Sequence, residues 1–112
     1  MAKTLNFNTI KKQYLTVTFN DEKKTTVMIG TPTKSIMNEL IALNESLDVD
    51  GDSISNETID ELFYVCARVI SRNKGGVTIT KDFLEDTFDI EDLFTFFNAY
   101  MDFVTVLGNE KN

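Results

Sequence analysis

The sequence contains no histidine, a single cysteine, a single proline and no apolar run that approaches the 18 residues of a membrane span. Without histidine, the chain lacks the residue that most often serves as a general base or metal ligand. Cys66 excludes an intrachain disulfide, fits a reducing cytoplasm, and is expected to be a small buried side chain. The first residues lack the apolar segment of a secretory signal. We therefore expect a cytoplasmic protein that is not an enzyme, with no cofactor, small-molecule substrate or membrane partner.

Basic residues are also few: the sequence has 11 Lys and Arg against 18 Asp and Glu, which gives a net charge of −7. Residues 1–40 carry a net charge of +3 and residues 41–112 a net charge of −10. Nucleic-acid binding requires clustered cations that replace the counterions of the phosphates. The acidic balance therefore argues against a nucleic-acid partner and indicates a surface that favours solubility.

One acidic stretch, Asp48-Val49-Asp50-Gly51-Asp52-Ser53-Ile54, begins like a calcium-binding loop. Such a loop needs glycine at its sixth position and a bidentate carboxylate at its twelfth. Here Ser53 and Ile59 occupy those positions. We therefore predict no metal site and interpret the stretch as an acidic linker between helices.

The chain of 112 residues is expected to form a single domain, residues 1–112. Apolar and polar residues alternate with period two on both sides of Asn20-Asp21-Glu22-Lys23, which predicts a β-hairpin over about 13–29. Gly30-Thr31-Pro32 ends the second strand and is typical of a helix start, with Thr31 as N-cap.

Helical periodicity then predicts four helices, at about 32–46, 56–71, 81–88 and 90–107, followed by a polar tail at 108–112. Thr80 and Asp89 are the expected N-caps of the last two helices. A lone hairpin is only marginally stable in water. The predicted fold is therefore α+β, with the N-terminal β-hairpin packed on a small bundle of about four α-helices.

The last helix has an unusually wide apolar face. Its polar residues fall on one narrow stripe: Glu91, Thr95, Asn98, Asp102 and Thr105. Its apolar residues cover about half of the circumference, whereas a surface helix usually shows a stripe of about 100°. The centre of this face, Leu93, Phe97, Met101 and Val104, is expected to be core. Along one edge lie the candidate partner-binding residues Phe96, Tyr100, Phe103 and Leu107, and the pattern leaves open whether they are core or interface.

The order of elements resembles a known family. The resemblance rests on the hairpin that leads through Gly30-Thr31-Pro32-Thr33 into a helix, on the stretch Val77–Asp89, on Leu93-Phe94, and on the run Tyr100–Val104. Together these resemble the tail assembly chaperones of long-tailed, siphovirus-type phages of Gram-positive bacteria.

The resemblance implies a small non-enzymatic protein of the host cytoplasm. Proteins of that family coat the tape measure protein and keep it soluble until tail tube protein polymerises around it, and they tend to self-associate. The expected partners are thus the tape measure protein, the tail tube protein and further copies of the chain. Two alternatives remain open, namely a structural tail or head–tail component of the virion and a small acidic inhibitor of a host protein.

Overall fold

The computed structural model describes residues 5–6, 12–50 and 54–110, and the side chains in these ranges except those of 48–50 and 107–110. An antiparallel two-stranded hairpin precedes four helices, which confirms the predicted α+β architecture. The elements are β1 Leu15–Thr18, β2 Thr26–Ile29, α1 Lys34–Asp50, α2 Asn56–Ile70, α3 Lys81–Thr87 and α4 Ile90–Glu110.

The turn of the hairpin is closed by Asp21. Its carboxylate accepts hydrogen bonds from the backbone N–H of Thr25 at 2.8 Å and from the Thr25 hydroxyl at 2.6 Å. Lys24 adopts a positive φ of 49°, and its N–H donates to the Asp21 carbonyl at 3.0 Å. These three hydrogen bonds close the turn, and the strands pair in the register in which Val17 faces Val27.

The outer edge of β2 is covered by the segment that follows α2, which the sequence suggested only as a loop. The Gly30 N–H donates to the Arg72 carbonyl at 3.1 Å, and the Lys74 N–H donates to the Met28 carbonyl at 2.8 Å. Between these bonds, Ile29 and Asn73 form an isolated antiparallel bridge. The pairing joins residues more than forty positions apart, which no local pattern can reveal.

α2 is the central element of the fold and contacts α1, α3, α4 and β2. Its buried side chains are Leu62, Phe63, Val65, Cys66, Ala67, Val69 and Ile70, and Ile59 is half-buried. The core adds side chains from β2, α1, α3 and α4 and from the connecting segments: Phe19, Val27, Ile29, Ile36, Leu40, Leu43, Ile79, Leu84, Leu93, Phe96, Phe97 and Tyr100. Burial of each large side chain stabilises the fold by about 1.5–3 kcal/mol.

Two helices differ in extent from the prediction. α1 begins at Lys34 because the hydroxyl of Thr33, rather than that of Thr31, accepts a hydrogen bond from the Ile36 N–H at 3.3 Å. It continues to Asp50, past the predicted end at 46, and Leu47 in the added turn packs against the core.

α4 continues through Glu110, so 108–110 belong to a helix and not to the predicted polar tail, while 111–112 lie outside the described residues. The predicted stop at Gly108 was wrong because glycine weakens a helix interior by only about 1 kcal/mol relative to alanine. The predicted N-caps of α3 and α4 are confirmed, since the Thr80 hydroxyl accepts from the Phe83 N–H and the Asp89 carboxylate accepts from the Asp92 N–H.

A single long-range hydrogen bond joins α4 to the end of the hairpin. The hydroxyl of Tyr100 donates to the Gly30 carbonyl at 2.8 Å, and the side chain of Tyr100 is only 1% exposed. Burial raises the pKa of this hydroxyl above its ordinary value, and the nearby charge of Arg72 only partly opposes the rise. The hydroxyl is therefore a protonated donor at neutral pH.

We predict that Tyr100→Phe lowers the free energy of unfolding by about 1–2 kcal/mol, because the ring packing stays while the Gly30 carbonyl loses its donor. Urea unfolding followed by circular dichroism measures the change. Tyr64→Phe is the matched control, since Tyr64 is 51% exposed and should lose less than about 0.5 kcal/mol. Equal losses in the two variants would contradict the role given to the Tyr100 hydroxyl.

The Asp21 turn predicts a dependence of stability on pH. The Thr25 hydroxyl and then the Thr25 backbone N–H hold the pKa of Asp21 below its ordinary value. This contribution is present above the ordinary aspartate pKa of about 3.9 and is lost as the pH falls through the lowered value. Asp21→Asn should therefore destabilise the protein at neutral pH, and the difference from wild type should shrink in acid.

The measurement is urea unfolding of both proteins at about pH 7 and at about pH 3. Glu22→Gln, in the same turn, removes an equal charge without the Thr25 hydrogen bonds and is the control. A difference between wild type and Asp21→Asn that stays constant with pH would contradict this account.

Candidate interaction surface

Three of the four candidate partner-binding residues of α4 have described side chains, and these occupy two different environments. Phe96 and Tyr100 are buried, at 6% and 1% exposure, so in this fold they are core rather than exposed surface. Phe103 is half-buried and packs at the margin of the core. The side chain of Leu107 lies outside the described residues.

The placement of Phe96 and Tyr100 corrects the expected orientation of α4. The most buried residues are Leu93, Phe96, Phe97 and Tyr100, whereas Met101 and Val104, expected at the centre of the core face, are only half-buried. The helix is thus rotated by roughly 40° about its axis from the predicted orientation. The physical reason is tertiary, because the hairpin and Phe88 pack over the Phe96–Tyr100 side. The polar stripe is confirmed, with all five of its residues exposed.

A continuous row of aromatic rings leads from α3 to the second half of α4. Neighbouring ring centroids lie 5.3–6.3 Å apart in the order Phe83, Phe19, Phe88, Phe96, Tyr100 and Phe103. Such pairs contribute about 0.5–1.5 kcal/mol each beyond the area that they bury. The row fixes the side of α4 that faces the hairpin, and it ends at the half-buried ring of Phe103.

Beside this row, a groove of about 280 Å³ separates β1 from α4. We call it the β1–α4 groove, and its lining is Leu15, Thr16, Val17, Thr18, Asn20, Phe88, Asp92, Thr95, Phe96 and Ala99. Phe96, the candidate residue from the sequence, therefore lies in the lining although little of it is exposed. Apolar and uncharged polar side chains make up the lining of the groove, and Asp92 is the only charged residue in it.

The strand along this groove has an unpaired edge among the described residues, where the sheet contains only β1 and β2. The Phe19 N–H donates to the Thr25 carbonyl at 2.8 Å. In an antiparallel pair every second residue directs its backbone N–H and C=O toward the other strand, so Val17 and Leu15 do the same toward β2. The intervening residues, Thr16 and Thr18, direct their backbone N–H and C=O groups away from β2. An unpaired strand edge beside an apolar groove can accept an extended peptide segment or the apolar side chains of a partner.

A second and larger cavity, of about 430 Å³, lies between α1, α2 and the segment before α3. Tyr64 lines it, and the guanidinium of Arg68 lies 5.7 Å from the centre of the Tyr64 ring. Arg68 forms an ion pair with Glu39, and Lys81 pairs with Asp60 at 3.1 Å. These carboxylates neutralise two of the cations that line the cavity. The described lining contains no carboxylate that could act as a general base beside an acid.

The described residues also offer no cluster of three or more side chains that could hold a metal ion. In the calcium-like stretch 48–54, the side chains of 48–50 and all of 51–53 lie outside the described residues. Cys66 is 1% exposed, and burial raises the pKa of its thiol to about 12. The thiol is therefore protonated at neutral pH and shielded from reactants.

We predict that Cys66 does not react with a chromogenic disulfide reagent at about pH 8 while the protein is folded, because its side chain is buried and its thiol stays protonated. One thiol per chain should react once guanidinium chloride unfolds it, and absorbance at both denaturant concentrations measures this. Rapid reaction of the folded protein would show that α2 opens locally or that the thiol is accessible.

Within the described part of the chain, no helix is both long and apolar enough to cross a membrane. The chain matches no protein-family profile, no curated protein and no solved structure. Among the surfaces described above, the β1–α4 groove is the candidate interaction surface of the protein.

Proposed function

We propose that the protein is a non-enzymatic phage tail assembly chaperone that coats the tape measure protein and keeps it soluble in the host cytoplasm during tail assembly. The sequence resemblance suggests this role. The single structural observation that supports it is the β1–α4 groove, because a chaperone of an aggregation-prone client needs an apolar surface that remains open in the folded state.

The groove suggests how a client would be held. Leu15, Val17 and Ala99 offer apolar contacts, and the edge at Thr16 and Thr18, unpaired among the described residues, offers backbone hydrogen bonds. Apolar contacts of this kind are indifferent to the details of the client sequence. A single protein could therefore cover many similar stretches of one long client.

The acidic surface would keep the complexes of chaperone and client soluble. The net charge of −7 gives each bound copy a negative charge, so coated clients repel one another. Subunits of the tail tube would then displace the chaperone as they polymerise, and copies of the chaperone would associate along the client. In this proposal, apolar contact captures the client and charge keeps the complex dispersed.

We predict that Ala99→Glu lowers the amount of co-purified tape measure protein by about tenfold or more. Ala99 is exposed and lines the groove, so its replacement places a carboxylate against the apolar contact without altering the core. The two proteins are co-expressed, and soluble client is quantified after affinity purification. Asn98→Glu is the matched control, because Asn98 is the exposed neighbour that does not line the groove.

The control should retain client within about twofold of wild type. Equal losses in both variants would indicate a general effect of charge, and full retention by Ala99→Glu would remove the groove from the proposal. Stoichiometric amounts of the protein in purified virions, measured by mass spectrometry, would contradict the chaperone role and favour a structural component.

A further inference from the structure

A small basic cavity lies at the end of the hairpin, outside the β1–α4 groove. Lys12, Arg72 and Lys74 line this cavity of about 270 Å³ together with Tyr14, Gly30 and Thr31. We call it the cationic cup. None of its lining residues is acidic, although the chain as a whole has a net charge of −7.

The three cations of the cup differ from the other clustered cations of the fold. Arg68 and Lys81 each have a carboxylate within ion-pair distance. Within the ranges that the structure describes, no carboxylate lies within 4 Å of the charged groups of Lys12, Arg72 or Lys74. Three like charges at one cavity repel each other, so their shared potential favours an anion supplied by another molecule.

Backbone hydrogen bonds fix the main-chain positions of two of these cations, Arg72 and Lys74. The Arg72 carbonyl accepts from the Gly30 N–H, and the Lys74 N–H donates to the Met28 carbonyl, so both residues sit on a segment fixed to the edge of β2. The Lys74 ammonium group also lies 5.7 Å from the centre of the Tyr14 ring. A site whose charged groups start from fixed backbone positions loses less conformational freedom on binding.

We propose that the cationic cup binds an acidic segment of a partner protein, through two or three of its Asp or Glu carboxylates. Charge complementarity identifies the ligand class, because guanidinium and ammonium groups pair with carboxylates by charge-assisted hydrogen bonds. A nucleic acid fits less well, since the cations form one cluster rather than a track along successive phosphates and the acidic body repels a polyanion. This site is independent of the proposed client groove.

The test uses a fluorescein-labelled synthetic peptide in which Glu alternates with Gly, and the same peptide with Gln in place of Glu. Fluorescence anisotropy with the full chain measures binding at about 50 mM and about 200 mM salt. We expect binding of the Glu peptide only, weakened at the higher salt concentration. Arg72→Gln with Lys74→Gln should reduce its affinity by about tenfold or more.

The matched control is Lys23→Gln with Lys34→Gln, which removes the same charge from two exposed lysines that do not line the cup. Its affinity should stay within about twofold of wild type. Circular dichroism checks the fold of both. If the cup double variant does not fold, Lys12→Gln alone decides the matter, with an expected loss of about threefold.

Three results would overturn the proposal: no binding of the Glu peptide to wild type, equal losses in the cup and control variants, or single-stranded DNA binding at the cup more tightly than the Glu peptide. Loss of peptide binding by the cup variants with unchanged tape measure co-purification would support the cup as a separate site. Peptide binding therefore tests the cationic cup, and tape measure co-purification tests the β1–α4 groove separately.

Discussion

The fold depends on how α4 docks against the hairpin, and the hydrogen bond from Tyr100 to the Gly30 carbonyl fixes that docking. Gly30 ends β2, and its N–H is held in turn by the Arg72 carbonyl after α2. One residue, Gly30, therefore ties together the hairpin, the end of α2 and the middle of α4. A buried hydroxyl without an acceptor would cost about 1–3 kcal/mol, so other rotations of α4 are disfavoured.

This docking creates both surfaces to which we assign binding. Because α4 presents its Phe96–Tyr100 side to the hairpin, Ala99 and Thr95 come to face β1 across the apolar groove. Because the segment after α2 pairs with β2, Arg72 and Lys74 meet Lys12 at the cationic cup. The two surfaces have opposite chemistry and lie at different edges of the same small sheet. A partner could therefore engage one without blocking the other.

The separation of these surfaces suits a protein whose charge is unevenly divided. Most of the negative charge lies after residue 40. Of the three cations that line the cup, Lys12 belongs to the first 40 residues, whereas Arg72 and Lys74 belong to the acidic part of the sequence. The fold thus brings together at one cavity three cations that are far apart or surrounded by acidic residues in the sequence. An acidic protein can thus keep a local site for anions while its overall charge opposes aggregation.

Local patterns in the sequence determined the α+β class, the hairpin, the positions of four helices, and the caps at Thr80 and Asp89, because alternation, helical spacing and capping are properties of neighbouring residues. The sequence also identified α4 as the helix with too wide an apolar face. Only the tertiary structure decided that Phe96 and Tyr100 are core while Met101 and Val104 are half-buried. It alone revealed the pairing of Arg72–Lys74 with β2, the unpaired edge of β1 and the cationic cup. These features depend on contacts between distant residues, which periodicity along the chain does not encode.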